Sequence, residues 1–164
     1  MKFVKLAFIS IIVIFLVLTA ISLMLPSHVR VSRAINISAS VTSIHRYVSD
    51  LRQWQQWNVL LADSSISITA VGHSNINTNR FTIDVLVSKP DSVGTRWRQP
   101  NGKVFTGSFA LIPAQNVTIV QWYFDFNLRW YPWEKFGSII YDERMGPGME
   151  NSLTQLKTLV ETSP

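Results

Sequence analysis

Three histidines, ten carboxylates and no cysteine set the chemistry open to this 164-residue chain. His28, His45 and His73 stand far apart, and none falls in an HxH or HExxH spacing or beside a carboxylate at ligand spacing. No metal site is therefore expected. Without cysteine there is no disulfide, no thiolate nucleophile and no cysteine-based metal site. His45 and Asp50 could form an acid–base pair, but five residues on a helix place them on different faces, so a solvated role is expected for both. There is no GxSxG turn and no glycine-rich phosphate cradle. Asp84 and Asp125 lie opposite in parity to the apolar residues around them and are expected to face solvent, as are Arg96 and Arg98 on either side of Trp97. Arg98 keeps a second reading, as the polar anchor of an acidic ligand should parity fail there. Glu134, Asp142, Glu143 and Arg144 read as the charged face of a helix. No catalytic residue and no cofactor is assigned.

The apolar residues carry more information. Trp57, Phe81, Trp97, Phe109, Trp122, Phe124, Met149 and Leu153 all fall on faces expected to point inward. Each by itself is compatible with ordinary core. Together they are what a cavity for a lipid-like or aromatic ligand would use, mostly apolar with few polar groups.

The elements that must position them follow from periodicity. Val29, Val31, Ile35 and Ile37 alternate with polar partners, the signature of a half-buried strand. Ser40 is a candidate N-cap for a helix whose apolar residues are Val41, Ile44, Tyr47, Val48 and Leu51. Asp50 starts a second short helix, with Gln53 at the capping-box position and Trp54 and Trp57 sharing a face. From Ser65 to Phe126 the period is two. Strands are expected near Ile66–Ala70, Phe81–Val87, Gly94–Gln99, Lys103–Ile112 and Thr118–Phe126, with Phe81, Ile83, Val85 and Val87 on one face. Pro90-Asp91-Ser92 and Pro100-Asn101-Gly102 mark turns. The arrangement is an antiparallel meander. A helical stretch begins at Pro132, with Phe136 and Ile140 on one face; Met149, Leu153, Leu156 and Val160 continue it, and a kink or break is expected at Gly146-Pro147-Gly148.

Ahead of all this lies a different segment. Leu6 to Leu25 is a run of twenty uncharged residues, about 30 Å as a helix and long enough to cross a bilayer. Lys2 and Lys5 precede it and Pro26 ends it. A cleaved secretory signal is the competing reading, with candidate sites at Ala20 and Ser22, but the apolar run continues past both. An uncleaved single-pass anchor over residues 1–27 is expected. Arg30 and Arg33 flank its far end, so the charge rule for orientation is nearly balanced; the short basic start favours an extracytoplasmic soluble domain.

Three stretches stand out: Ile35–Val48, the segment Ser49-Asp50-Leu51-Arg52-Gln53-Trp54-Gln55-Gln56-Trp57-Asn58, and Gly146-Pro147-Gly148-Met149-Glu150 with Leu153, Leu156 and Lys157. They resemble the START-like helix-grip superfamily (SRPBCC), in its polyketide cyclase/dehydrase and lipid-transport branch. With the strands between, the resemblance spans about residues 29 to 161 of a domain placed at 28–164. It implies an α+β fold in which an antiparallel sheet of six to seven strands curves around a long C-terminal helix, with an apolar-ligand cavity between them. About six strands are countable where the family has seven, and a short one could lie at Asn75–Asn79. The superfamily hosts binders and enzymes alike, so no reaction follows from it.

Composition narrows the rest. Hydrophobic residues make up 47% of the chain and charged residues 15%, which suits one folded unit rather than a multi-span protein or a disordered chain. After residue 28 there are 13 basic and 10 acidic residues, scattered rather than clustered, so no nucleic-acid partner is expected. The expected partners are the membrane, through residues 6–25, and a small hydrophobic ligand. Two other readings stay open: a cyclase- or dehydratase-type enzyme with one polarising group in the cavity, and an interaction module in which Leu128–Phe136 presents aromatic residues to an unidentified protein. The role of Arg129–Phe136 is unassigned.

Overall fold

Strand β1 (His28–Ile37) takes up the expected alternation, with Val31 and Ile37 buried and the half-buried Arg33 on the same inner face. The computed structural model describes residues 2–162; Met1 and residues 163 and 164, the end of the expected domain, lie outside the described residues. Ser40 caps helix α2 (Val41–Ser49), its Oγ accepting from the Ser43 N–H at 3.1 Å. Ile44, Tyr47 and Val48 form the buried face.

The next element is a 3₁₀ turn, Leu51–Gln56, followed by another at Val59–Leu61. The expected capping box does not form. Asp50 does cap the turn, accepting from the Arg52 N–H at 3.0 Å, but the Gln53 amide oxygen accepts from Gln56 Nε2 instead of reaching back. Side chains three apart eclipse in a 3₁₀ turn. Trp54 and Trp57 therefore both enter the core, their rings 5.4 Å apart.

Seven strands form one antiparallel sheet: β2 (Ile68–Val71), β3 (Asn75–Thr78), β4 (Thr82–Lys89), β5 (Ser92–Arg98), β6 (Val104–Ala114) and β7 (Val117–Asn127) join β1 in the order β1-β7-β6-β5-β4-β3-β2. The short β3 completes the set in the region where a seventh strand could lie. Between Val85 and Val87 the β4–β5 register shifts. One residue of slip reverses the faces. Val87, expected inward with Phe81, Ile83 and Val85, is consequently 47% exposed.

The C-terminal stretch breaks earlier than the sequence implies. Helix α3 (Pro132–Ser138) ends in a tight turn closed by the Ile139 N–H on the Phe136 carbonyl, and α4 (Tyr141–Thr162) then runs unbroken through Gly146-Pro147-Gly148. Phe136 and Ile140 therefore share no helix. Pro147 removes only one backbone bond. The two glycines serve packing: a Cβ on Gly146 would overlap the Arg33 guanidinium, and one on Gly148 would meet Leu60 Cδ2 at 2.6 Å. Met149, Leu153, Leu156 and Val160 bury the face of α4 that lies along β1, so the sheet grips this helix as expected.

Helix α1 (Lys2–Met24) extends from this body with nearly every apolar side chain exposed. Phe3–Met24 has a mean hydropathy of 2.9, long and apolar enough to cross a membrane.

Candidate ligand cavity

The ends of β4 to β7 nearest β1's start, the loop after α2 and the first turns of α4 enclose a cavity of about 1140 Å³. Its floor is a band of five rings. Phe81 lies 5.0 Å from Trp97, Trp97 stacks on Phe105 at 5.8 Å, Phe105 meets Phe126 at 4.9 Å, and Phe126 meets Tyr141 of α4 at 4.7 Å. Register explains the line: Trp97 and Phe105 are cross-strand partners, so their rings emerge side by side. Val59, Leu60, Ala62, Ile66 and Met145 complete the apolar lining. The mouth includes the turn at Pro100-Asn101-Gly102, where Gly102 adopts φ 81°, a backbone conformation that suits glycine.

Of the expected ligand-binding residues, Phe81 and Trp97 line this cavity. Trp57, Phe109, Trp122, Phe124, Met149 and Leu153 do not; they are at most 1% exposed and lie packed beneath it. Their placement has a simple cause. Trp54 enters between sheet and α4 and fills the space itself, within 5.4 to 6.4 Å of Trp57, Phe109 and Trp122. Phe109 and Trp122 stack at 5.0 Å, and Gly107 leaves room for the Phe124 ring, which a Cβ would meet at 2.7 Å. Core packing thus takes one end of the space between sheet and helix, and the cavity takes the other. Phe105, Phe126, Tyr141 and Met145 are wall residues the sequence reading omitted. Phe105 shares the parity of Phe109, and Phe126 that of Phe124, which was signal enough for those two. Tyr141 and Met145 depended on where α4 begins.

The polar groups sort by position. Four cations stand at the mouth, Arg80, Lys103, Arg129 and Arg144, against two carboxylates, Asp63 and Glu134. Glu134 accepts from the Arg129 backbone N–H and its guanidinium, both at 3.0 Å. These contacts, the backbone bond foremost, hold its carboxyl below the usual range. Asp63 is lowered likewise by the Ser65 N–H and hydroxyl. Both are anions at neutral pH, neither being poised to donate a proton.

Elsewhere the structure pairs the candidate groups among themselves. Asp125 faces outward in contact with Arg30 at 2.6 Å and His28 at 3.2 Å. Asp84 accepts from Asn75 Nδ2 at 2.7 Å and lies 3.7 Å from Arg98, which stands outside the cavity and is no anchor for its contents. His45 and Asp50 are separate: His45 meets Ser88, while Asp50 is held by Arg52 and, at 3.2 Å, by His73. The Asp50–His73 contact pins the β2–β3 hairpin to the 3₁₀ turn, and a loop had to fold back to make it. The Arg52 guanidinium above all holds the Asp50 carboxyl down at about 2.

A sheet curved on a long helix, with an apolar cavity at one end, defines a helix-grip protein. The sequence from residue 28 to 161 matches the family described as polyketide cyclase / dehydrase and lipid transport, and the chain belongs to that family. No curated protein matches the sequence. Among solved structures it resembles a protein of unknown function, SA2116, from Staphylococcus aureus, with a TM-score of 0.62 and 15% identity over 82% of this chain and 94% of that one. Norcoclaurine synthase from Thalictrum flavum, in truncated form, gives 0.60 and 10% over 84% and 96%. DynU16, from the dynemicin biosynthetic locus, gives 0.57 and 18% over 81% of this chain, which spans only 47% of that one. At these identities the likeness is one of fold.

Proposed function

We propose that this chain is a membrane-anchored binding protein for a small amphipathic molecule. The apolar body of the ligand lies on the five-ring floor, and an anionic head group lies among the cations of the mouth. The observation that carries this reading is the cavity itself: about 1140 Å³, floored by Phe81, Trp97, Phe105, Phe126 and Tyr141 with no charged side chain among them. Ligand sites are apolar concavities with a few polar groups that set orientation, and here those groups stand at the mouth. Arg80 lies near Asp63 and Lys103 near Glu134, and neither they nor Arg144 make a direct ion pair among the described residues, which leaves their cationic groups within reach of a ligand. Anchoring rests on α1, whose apolar surface requires a lipid environment. Its last turn packs against the folded body, which supports an uncleaved anchor over a removed signal. Binding is favoured over catalysis because the charged side chains of the cavity stand at its mouth and none lies among the rings of its floor.

The test is native mass spectrometry of the full chain released from mild detergent, joined to titration with a dansyl-labelled undecanoate. The expected result is a small apolar mass lost on denaturation, and saturable probe uptake that displaces it. A clean mass with no saturable uptake would sink the reading.

A further inference from the structure

Trp130, Tyr131 and Trp133 form an exposed aromatic stack whose place in the fold points to lipid. Tyr131 lies 4.8 Å from each neighbour and is nearly parallel to Trp133, at 8°. Trp130 is 55% exposed and Trp133 63%, and Ile139 and Ile140 extend the apolar surface at 67% and 38%. In a folded body that buries its other four tryptophans to 2% or less, such exposure needs an occupant.

The occupant follows from what this segment holds. Ser22 of α1 is fully buried and donates from Oγ to the Trp130 carbonyl at 3.2 Å. Lys135, only 3% exposed, donates from Nζ to the Leu25 carbonyl at 2.7 Å, and the Leu128 N–H donates to the Ser27 carbonyl at 2.8 Å. Three bonds thus fasten the segment to the last turn and exit of the apolar helix. The apolar run ends at Leu25, before Pro26 and Ser27. At 1.5 Å per residue, Ser22 sits roughly 4.5 Å inside that boundary. A backbone bonded to Ser22 is therefore held at the junction of hydrocarbon and headgroups. Tryptophan and tyrosine, apolar bodies with a polar edge, are the side chains that settle at that level.

We infer that Trp130, Tyr131, Trp133, Ile139 and Ile140 form a membrane-interface patch that seats the cavity mouth on the bilayer from which α1 emerges. The inference rests on the reading of α1 as a membrane span. Leu128, Arg129, Glu134 and Tyr141, which line the cavity, lie directly before, between and after the patch residues along the chain. The mouth is thereby held at headgroup depth, and an amphipathic ligand passes between leaflet and cavity without crossing bulk water. The Arg129 guanidinium, paired with Glu134 and 5.1 Å from the Tyr131 ring, joins the patch to the cavity lining.

The absence of native cysteine makes a direct test available. Trp133→Cys, Ile139→Cys, Phe15→Cys and Asp91→Cys, each in the full chain, are labelled with an environment-sensitive fluorophore. They are then reconstituted into phosphatidylcholine–phosphatidylglycerol vesicles with lipids spin-labelled near the headgroup or deep in the acyl chain. Asp91 lies in the turn at the other end of the sheet and serves as the water-exposed reference. Labels at 133 and 139 should shift to the blue and lose intensity to the shallow quencher, while the label at 15 loses intensity to the deep one. If 15 is quenched but 133 and 139 match position 91, the patch does not touch lipid and the inference is overturned while the anchor stands. If 15 also matches 91, both readings fall together. Labels at 133 and 139 that are exposed in vesicles but shielded in native membranes would assign the patch to a protein partner and overturn the lipid assignment.

Discussion

The guanidinium of Arg33 occupies the place where a side chain on Gly146 would be. Arg33 reaches inward from β1 and lies under α4, its Nε 2.5 Å from Glu150 and its Nη1 2.8 Å from Asp142, with Gly146 between them on the helix. These hydrogen bonds, to Asp142 first and then Glu150, raise the Arg33 pKa further. One residue of the glycine–proline–glycine segment thus marks where an inward arginine of the sheet meets the helix that the sheet grips.

Gly146→Ala tests this contact. In an open helix the change gains about 1 kcal/mol from propensity. Here it must dislodge Arg33 from two carboxylates, so a net loss on the order of 1 kcal/mol is expected. Urea unfolding of Gly146→Ala alone and in an Arg33→Ala background forms a double-mutant cycle. The alanine should destabilise only when Arg33 is present, and equal effects in the two backgrounds would refute the contact.

Stability should fall in acid as Asp50 protonates. Its folded pKa of about 2 lies below the ordinary 3.8, so its contribution is fully present above pH 4 and is lost as pH drops through about 2. The side chain is mostly buried, and the effect is on the order of 2 kcal/mol. Asp50→Asn should remove that part of the pH dependence in unfolding midpoints measured between these limits.

Cavity occupancy should respond to Met145→Trp, which fills space between α4 and the ring floor. Dansyl-undecanoate binding is expected to weaken about tenfold, or 1.4 kcal/mol, with the thermal midpoint close to the parent's. Arg144→Glu should weaken the same binding at low salt and much less at high salt, because an exposed charge is screened. Insensitivity to both changes would place the probe elsewhere.

The tryptophans should divide sharply. Trp54 donates to the Val48 carbonyl at 3.0 Å, whereas the buried Trp122 Nε1 has no partner among the described residues. Trp54→Phe should therefore cost about 1 kcal/mol more than Trp122→Phe, the worth of one buried hydrogen bond. Trp133→Ser should stay within about 0.5 kcal/mol of the parent, as an exposed position does. Denaturant midpoints of the three variants decide it.

Local signals carried most of the fold. Ser40 as a cap, the alternation of β1 and of β7, the Pro100-Asn101-Gly102 turn and the buried face of α4 were all legible, because each depends on residues a few positions apart. Misreadings came where one element had to accommodate another. Gly146-Pro147-Gly148 looks like a break until Arg33 and Leu60 are seen to need the missing side chains. Val87 looks buried until the β4–β5 bulge turns it outward. The candidate site was legible as a list of inward aromatics, of which only Phe81 and Trp97 reach the cavity.

By itself the sequence determined the apolar first helix, the antiparallel sheet, the long gripped helix and the family to which they belong. Period, capping and turn chemistry are properties of neighbouring residues and need no knowledge of distant ones. Which rings fill space and which surround it was decided by tertiary structure alone. Parity places Phe124 and Phe126 on the same face; only the rings of Trp97, Phe105 and Trp122 around the first, and the start of α4 beside the second, bury one and leave the other at a cavity wall. The same holds for Trp130 and Trp133. Composition leaves their role unassigned, and it took three hydrogen bonds across some hundred residues to set them beside the end of the first helix.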